Sequence, residues 1–232
     1  LIANTLLKWQ LLNNLSFKTS WSIDNSTYHE FVYYNAKMNE GKSTNGSATD
    51  VNTTNKLWIA EQLINYYTSI GEKNFISLFL GNTLQRNVVE RASITGTNFT
   101  GIEFTTISSA AVTTGSTSGK IPSGIISYFG GANYSYADKY SADFNFRADA
   151  SSRFGKSNKW GYFPSGGVSW RIGQETFIKD NLPAVSELKV KASIGWTGNQ
   201  EIADFASLGL WTGGSNYLDL PGISPYQLAN SD

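Results

Sequence analysis

Residues Tyr140-Ser-Ala-Asp-Phe-Asn-Phe-Arg-Ala-Asp149 alternate without a break. In an extended chain successive side chains point to opposite faces. One face therefore carries Tyr140, Ala142, Phe144, Phe146 and Ala148, and the other Ser141, Asp143, Asn145, Arg147 and Asp149. The stretch is also about as long as a tilted membrane strand needs to be, roughly 9 to 11 residues. If the dry face meets lipid, Phe144 points outward and Asn145 toward a lumen.

Two further stretches read the same way. Leu188, Val190, Ala192, Ile194 and Trp196 oppose Lys189, Lys191, Ser193, Gly195 and Thr197, and Leu15, Phe17, Thr19, Trp21 and Ile23 oppose Ser16, Lys18, Ser20, Ser22 and Asp24. Less regular strands are predicted near Ile2 to Leu12, Lys56 to Ser69, Asn74 to Arg86, Ile125 to Ala137 and Trp160 to Ile172, which makes eight. Their connections alternate in length. Asn13-Asn14, Ile70 to Lys73 and Ala137 to Lys139 are tight, whereas Asn25 to Asn55, Asn87 to Gly124 and Ala150 to Lys159 are longer and polar. Short turns at one end and long loops at the other are the pattern of an outer-membrane barrel, with the long loops outside. Gly173 to Ser186 is the exception, since parity assigns it to the short-turn end. Trp21, Trp58, Trp160 and Trp196 fall toward the long-loop ends, and Trp9, Tyr66, Tyr67, Tyr140 and Trp170 toward the short-turn ends, as aromatic girdles require.

Composition agrees. Aromatic residues make up 14%, glycine numbers 22, and charged residues are only 16%, against roughly 25% in soluble domains. Lysine plus arginine equals aspartate plus glutamate at 18 each, so there is no basic field for nucleic acid. Cysteine is absent, which removes disulfides and thiolate chemistry. No apolar run approaches the roughly 18 residues of a membrane helix, so any crossing uses strands. The chain opens on Leu1 without a signal peptide, and both its start and its end at Ser231 and Asp232 read as cut.

The segment from Tyr134 to Ile202 carries a more specific pattern. It runs Tyr134-Ser-Tyr-Ala-Asp-Lys-Tyr140, Arg147-Ala-Asp-Ala-Ser-Ser-Arg-Phe-Gly155, Trp160-Gly-Tyr-Phe-Pro-Ser165 and Ser169-Trp-Arg-Ile172, then Glu175, Phe177 and Leu188-Lys-Val-Lys-Ala-Ser-Ile-Gly-Trp-Thr-Gly-Asn-Gln-Glu-Ile202. In order and spacing it resembles the SusC/RagA family of TonB-dependent outer-membrane transporters. Ala150, Lys191 and Ile194 depart from the family's usual Gly, Arg and Tyr. The resemblance implies an all-β transmembrane antiparallel barrel. Barrels of this class have about 22 strands around a plugged lumen, so eight are a part. Residues 1–232 are then expected to belong to a single outer-membrane barrel domain, without the plug and the N-terminal segments. The implied role is TonB-dependent import of a bulky nutrient, an oligosaccharide or peptide, across the outer membrane of a Gram-negative bacterium. Its implied partners are a SusD-like surface lipoprotein, TonB through a segment outside this chain, and outer-membrane lipid.

Asp143, Asn145, Arg147, Asp149 and Arg153 are the candidate lumen-facing or substrate-path residues. The alternative for them is a structural network, because pairing is the usual way to hold a partly buried charge. His29 is the sole histidine and cannot assemble a metal site alone. Gly115-Ser-Thr-Ser-Gly-Lys120 has the wrong spacing for a phosphate loop, and Ile121 stands where Ser or Thr is required. No nucleophile, base and orienting partner form a set, so neither an enzyme nor a cofactor is expected. Two rival readings are a small passive eight-stranded barrel and a secreted β-sandwich binding or adhesion module, whose strands also alternate.

Overall fold

A computed structural model describes residues 1–182, 184–185, 187–218 and 220–229. Ser186, Ser231 and Asp232 lie outside the described residues. Eight strands form one sheet in chain order. They are β1 (Ile2–Leu12), β2 (Leu15–Tyr34), β3 (Ser47–Ile70), β4 (Asn74–Phe99), β5 (Ala110–Tyr136), β6 (Tyr140–Ser151), β7 (Trp160–Trp170) and β8 (Val190–Gly195). Two short helices, α1 (Asn39–Lys42) and α2 (Thr176–Asn181), lie in connections. A separate antiparallel pair, β9 (Leu210–Gly213) and β10 (Ile223–Gln227), follows β8 and had no counterpart in the sequence reading.

The register turns alternation into two faces. Antiparallel partners stand on the same face, and Tyr136, Tyr140, Trp170 and Val190 are successive partners from β5 to β8. The next rows on that face are Tyr134, Ala142, Val168 and Ala192, then Ala132, Phe144, Gly166 and Ile194, then Gly130, Phe146 and Pro164, then Tyr128, Ala148 and Tyr162. None of these side chains is charged. The opposite face carries Asn133, Asp143 and Gly167, then Gly131, Asn145 and Ser165, then Phe129, Arg147 and Phe163, then Ser127, Asp149 and Gly161.

The apolar face has no protein cover. Phe144 is 56% exposed, Tyr162 62% and Ile194 69%. Among the described residues the buried apolar side chains are only Ala48, Val51, Ala60, Phe99 and Ala148. A β-sandwich buries one face of each sheet against the other, so this pattern argues against the secreted-module reading. Aromatic rows bound the dry zone: Tyr140 stacks on Tyr136 and on Trp170 at one end, and Tyr128 stacks on Trp160 at the other. Trp160 to Trp170 spans roughly 34 Å along the strand. At a tilt of roughly 40–45° this projects to about 25 Å, the height of a barrel's apolar band.

The structure differs from the sequence reading in where the strands stop. The stretches Asn25 to Asn55 and Asn87 to Gly124, expected as loops, are mostly strand, with connections only at 35–46 and 100–109. Trp21 and Trp58 therefore lie inside β2 and β3, not near strand ends. β4, at 26 residues, runs roughly 88 Å, far beyond what crossing the apolar band uses. The reason is that backbone pairing needs no apolar side chain, so polar Ser-, Thr- and Asn-rich strands give no hydropathy signal. The connection after β7 sits at the short-turn end as expected: the Arg171 amide donates to Lys139 O at 2.7 Å. The turn before β6 places Ala137 and Asp138 at φ 51° and 55°, the left-handed pair of a type I′ hairpin.

By packing, the chain divides into two compact units, residues 1–3, 22–58 and 86–123, and residues 4–21, 59–85 and 124–232. The first is built from the far ends of β2 to β5. There Tyr33 meets Phe99 edge-on at 5.3 Å, His29 pairs with Asp50 at 2.8 Å, and Glu90 takes Lys120 at 2.7 Å and Lys56 at 3.3 Å. The second holds the two-faced ribbon of β5 to β8 and the residues singled out from sequence.

Candidate functional site on the polar face

Four of the five candidate residues form one column on β6. Arg147 is its centre: Nη2 donates to Ser127 Oγ at 2.8 Å and Nε to Asp149 Oδ2 at 2.9 Å. The same Nε lies 2.7 Å from Asp149 Oδ1, yet this buried oxygen receives no hydrogen bond, because one N–H can point at only one of them. The guanidinium also sits over the Phe129 ring, 5.4 Å from its centroid, a cation–π geometry. Asn145 Nδ2 donates to Asp143 Oδ2 at 3.3 Å. Arg153 is not part of this group. Its Nε donates to Asp204 Oδ1 at 2.8 Å, tying the β6–β7 connection to the segment after β8.

Sequence reasoning missed the aromatic part of the site. Phe79, Phe129 and Phe163 are on the polar face and line a hollow of about 440 Å³ together with Asn145, Arg147 and Trp196. Each ring is accommodated by a glycine. A Cβ on Gly81 would lie 2.7 Å from the Phe129 ring, one on Gly131 2.6 Å from the Phe79 ring, and one on Gly161 2.6 Å from the Phe163 ring. A usable signal was present. Phe79-Leu-Gly81, Phe129-Gly-Gly131 and Gly161-Tyr-Phe163 each put a Phe and a Gly two residues apart, on one face of a strand. Gly131 also gives room to Asn145, whose Oδ1 would be 2.5 Å from the added Cβ.

Chemically, this surface offers flat rings and charge-paired hydrogen-bonding groups, which suits non-covalent contact with a polar solute or with packed protein. Among the described residues no group of three metal-ligating side chains occurs.

At the short-turn end Glu175 gathers three donors: Lys139 Nζ at 2.8 Å, Tyr140 OH at 2.6 Å and Trp170 Nε1 at 3.2 Å. The hydrogen bond from Lys139, then those from Tyr140 and Trp170, hold its carboxyl at about 2, below the ordinary 4.5. A depressed carboxyl stabilises the fold above its unfolded value, and that contribution is lost as pH falls toward the folded one. The stability gap between wild type and Glu175→Gln is therefore expected to be constant above about pH 5 and to close on acidification toward 2. Denaturant titrations of both proteins across that range measure it, and a gap that widens in acid would refute the assignment.

The fold and its two faces define the wall of an outer-membrane β-barrel. No protein-family profile matches the chain. TonB-dependent receptor P3 of Formosa agariphila is 32% identical over 210 residues, 89% of this chain and 21% of that protein. TonB-dependent receptor SusC of Bacteroides thetaiotaomicron is 44% identical over 98 residues, 42% of this chain and 10% of that protein. A structure of the RagAB peptide transporter matches over 100% of this chain and 26% of its own, with a TM-score of 0.87 at 21% identity, a likeness of fold. The chain belongs with the SusC/RagA group of TonB-dependent receptors and supplies about eight strands of their barrel wall. It spans about a fifth of the length of the first curated relatives it matches.

Proposed function

We propose that the chain is part of the barrel domain of an outer-membrane importer that takes up a bulky nutrient, an oligosaccharide or peptide, with energy delivered through TonB. The observation that carries this reading is the two-faced sheet, a dry aromatic-bounded face suited to lipid and an opposite face of paired charges, in a chain akin to TonB-dependent receptors. Asp143, Asn145, Arg147 and Asp149 then face the lumen and help line the cargo path, and Arg153 steadies an external connection through Asp204. A SusD-like lipoprotein covers the outer end. Uptake of candidate oligosaccharides and peptides by cells carrying the full receptor should vanish when TonB is removed. Uptake that persists without TonB would point to a passive pore.

Orientation has its own test. This span contains no cysteine, so in a full receptor freed of any cysteine elsewhere single substitutions report on their own position. A membrane-impermeant thiol reagent on intact cells should label Lys42→Cys and Glu103→Cys in the outer connections. It should leave Glu72→Cys and Asp138→Cys unlabelled until the outer membrane is opened. The reverse pattern would invert the topology.

A further inference from the structure

The dry face of β5 to β8 is uneven in height. Between the row Tyr136–Tyr140–Trp170 and the row holding Phe144 and Ile194 runs a row of short side chains, Ala142, Val168 and Ala192, headed by Tyr134. They floor a groove of about 520 Å³ walled by Tyr134, Tyr140 and Trp170, and no charged side chain lines it. Val168, on the floor, is 59% exposed, so the groove opens away from the sheet. Along β7 the short positions continue through Gly166 and Pro164, beside Phe144 and Phe146 of β6. The trough thus follows β7 from Trp170 to Pro164, roughly 20 Å. Its short-turn end is a fixed rim. Glu175 accepts from Tyr140 OH at 2.6 Å and Trp170 Nε1 at 3.2 Å, and the two rings stack on each other. Lys139 Nζ donates to the same carboxylate at 2.8 Å, which uses one of the three N–H donors of its ammonium.

We propose that this groove seats one acyl chain of a glycerophospholipid, laid along β7 with its phosphate at the Lys139 end. The groove is continuous with the apolar band, and what covers that band on an outer-membrane barrel is lipid. The rest of a receptor does not change this. A plug lies on the lumen side, and a strand added to β8 pairs on its far side, roughly 4.8 Å away, lengthening the wall without filling the trough. The choice of a phospholipid rests on the orientation given above, which puts the short-turn end in the periplasmic leaflet. On a level wall a lipid tail touches protein on one side only, whereas a trough adds contacts on both flanks, and such contacts sum. Glu175 holds the polar ends of Tyr140 and Trp170, so neither ring swings in to close the groove. The Lys139–Glu175 pair is electrically neutral, so the seat reads the chain and the phosphate and not the overall charge of the head group.

The test counts the lipid kept by the full receptor through long washing in detergent, by mass spectrometry of the intact protein and of its lipid extract. Wild type should keep one phospholipid more than Ala142→Phe or Ala192→Phe, whose rings fill the floor. That lipid should leave either variant on the order of tenfold faster, since affinity differences among related complexes fall mainly on dissociation. Leu80→Phe, at a 64% exposed site outside the groove, should match wild type, and heat-modifiable migration shows that each variant is a folded barrel. Phosphatidylethanolamine and phosphatidylglycerol, supplied singly, should be kept equally. Equal retention by wild type and both filled variants would overturn the proposal, as would a preference for one head group. Loss of a second receptor copy, in place of a lipid, would assign the groove to receptor contact and overturn it too. If the lipid lost on filling is lipid A, the phospholipid seat and the orientation fall together. If no lipid depends on the groove while Asp138→Cys stays unlabelled on intact cells, the seat alone falls.

Discussion

Phe144→Arg is expected to destabilise the inserted receptor by about 2–4 kcal/mol, the cost of an arginine on the lipid face near the bilayer midplane. Phe144 sits in the row of Ala132, Gly166 and Ile194, between the Tyr136–Tyr140–Trp170 stack and the Tyr128–Trp160 pair. It is 56% exposed with no protein against its outer side, so an introduced guanidinium there meets hydrocarbon. Asn145→Arg, one residue on, points to the face that already holds Asp143 and Asp149 and should cost much less. Urea titrations of the full receptor in lipid vesicles, with protected barrel as the readout, compare the two. Equal losses, or a larger loss at position 145, would remove the face assignment.

Residues 1–232 expressed alone should fail to give an inserted barrel, an all-or-none effect. The sheet runs in order from β1 to β8 and ends on both. In a bilayer each unsatisfied backbone group costs several kcal/mol. A handful of them along β1 and β8 outweighs the whole stability of an ordinary domain, roughly 5–15 kcal/mol. Closing β1 onto β8 would require a far tighter curvature than a wall of about 22 strands imposes. The fragment, refolded into detergent or vesicles, should aggregate or remain open to protease. A heat-modifiable, protease-protected monomer would instead favour the small passive barrel.

Much of the candidate site was readable because it obeys alternation. Arg147 and Asp149 are two apart in a ribbon whose other side is aromatic and alanine, so they must share the polar face, and they do pair. Arg153 was not readable in the same way. It lies past the end of β6, and its partner Asp204 is 51 positions away, a separation that no local period encodes. The three phenylalanines of the polar face broke the rule that apolar means lipid-facing. Their rings are accommodated by glycines, two of them across the ladder, Gly81 beside Phe129 and Gly131 beside Phe79. Only the pairing of β4 with β5 brings those residues together.

By itself the sequence determined that this protein is a set of two-faced antiparallel strands joined by alternating turns, with a dry aromatic-edged side and a charged one. The physical reason is that side-chain direction in a strand has a period of two and the cost of putting charge into lipid enforces it residue by residue. The tertiary structure alone decided how far the strands run beyond the apolar band, which rings lie among the charges, and which partner Arg153 finds. Those features depend on backbone hydrogen bonds and cross-strand neighbours, which polar residues satisfy as well as apolar ones and which leave no periodic trace along the chain.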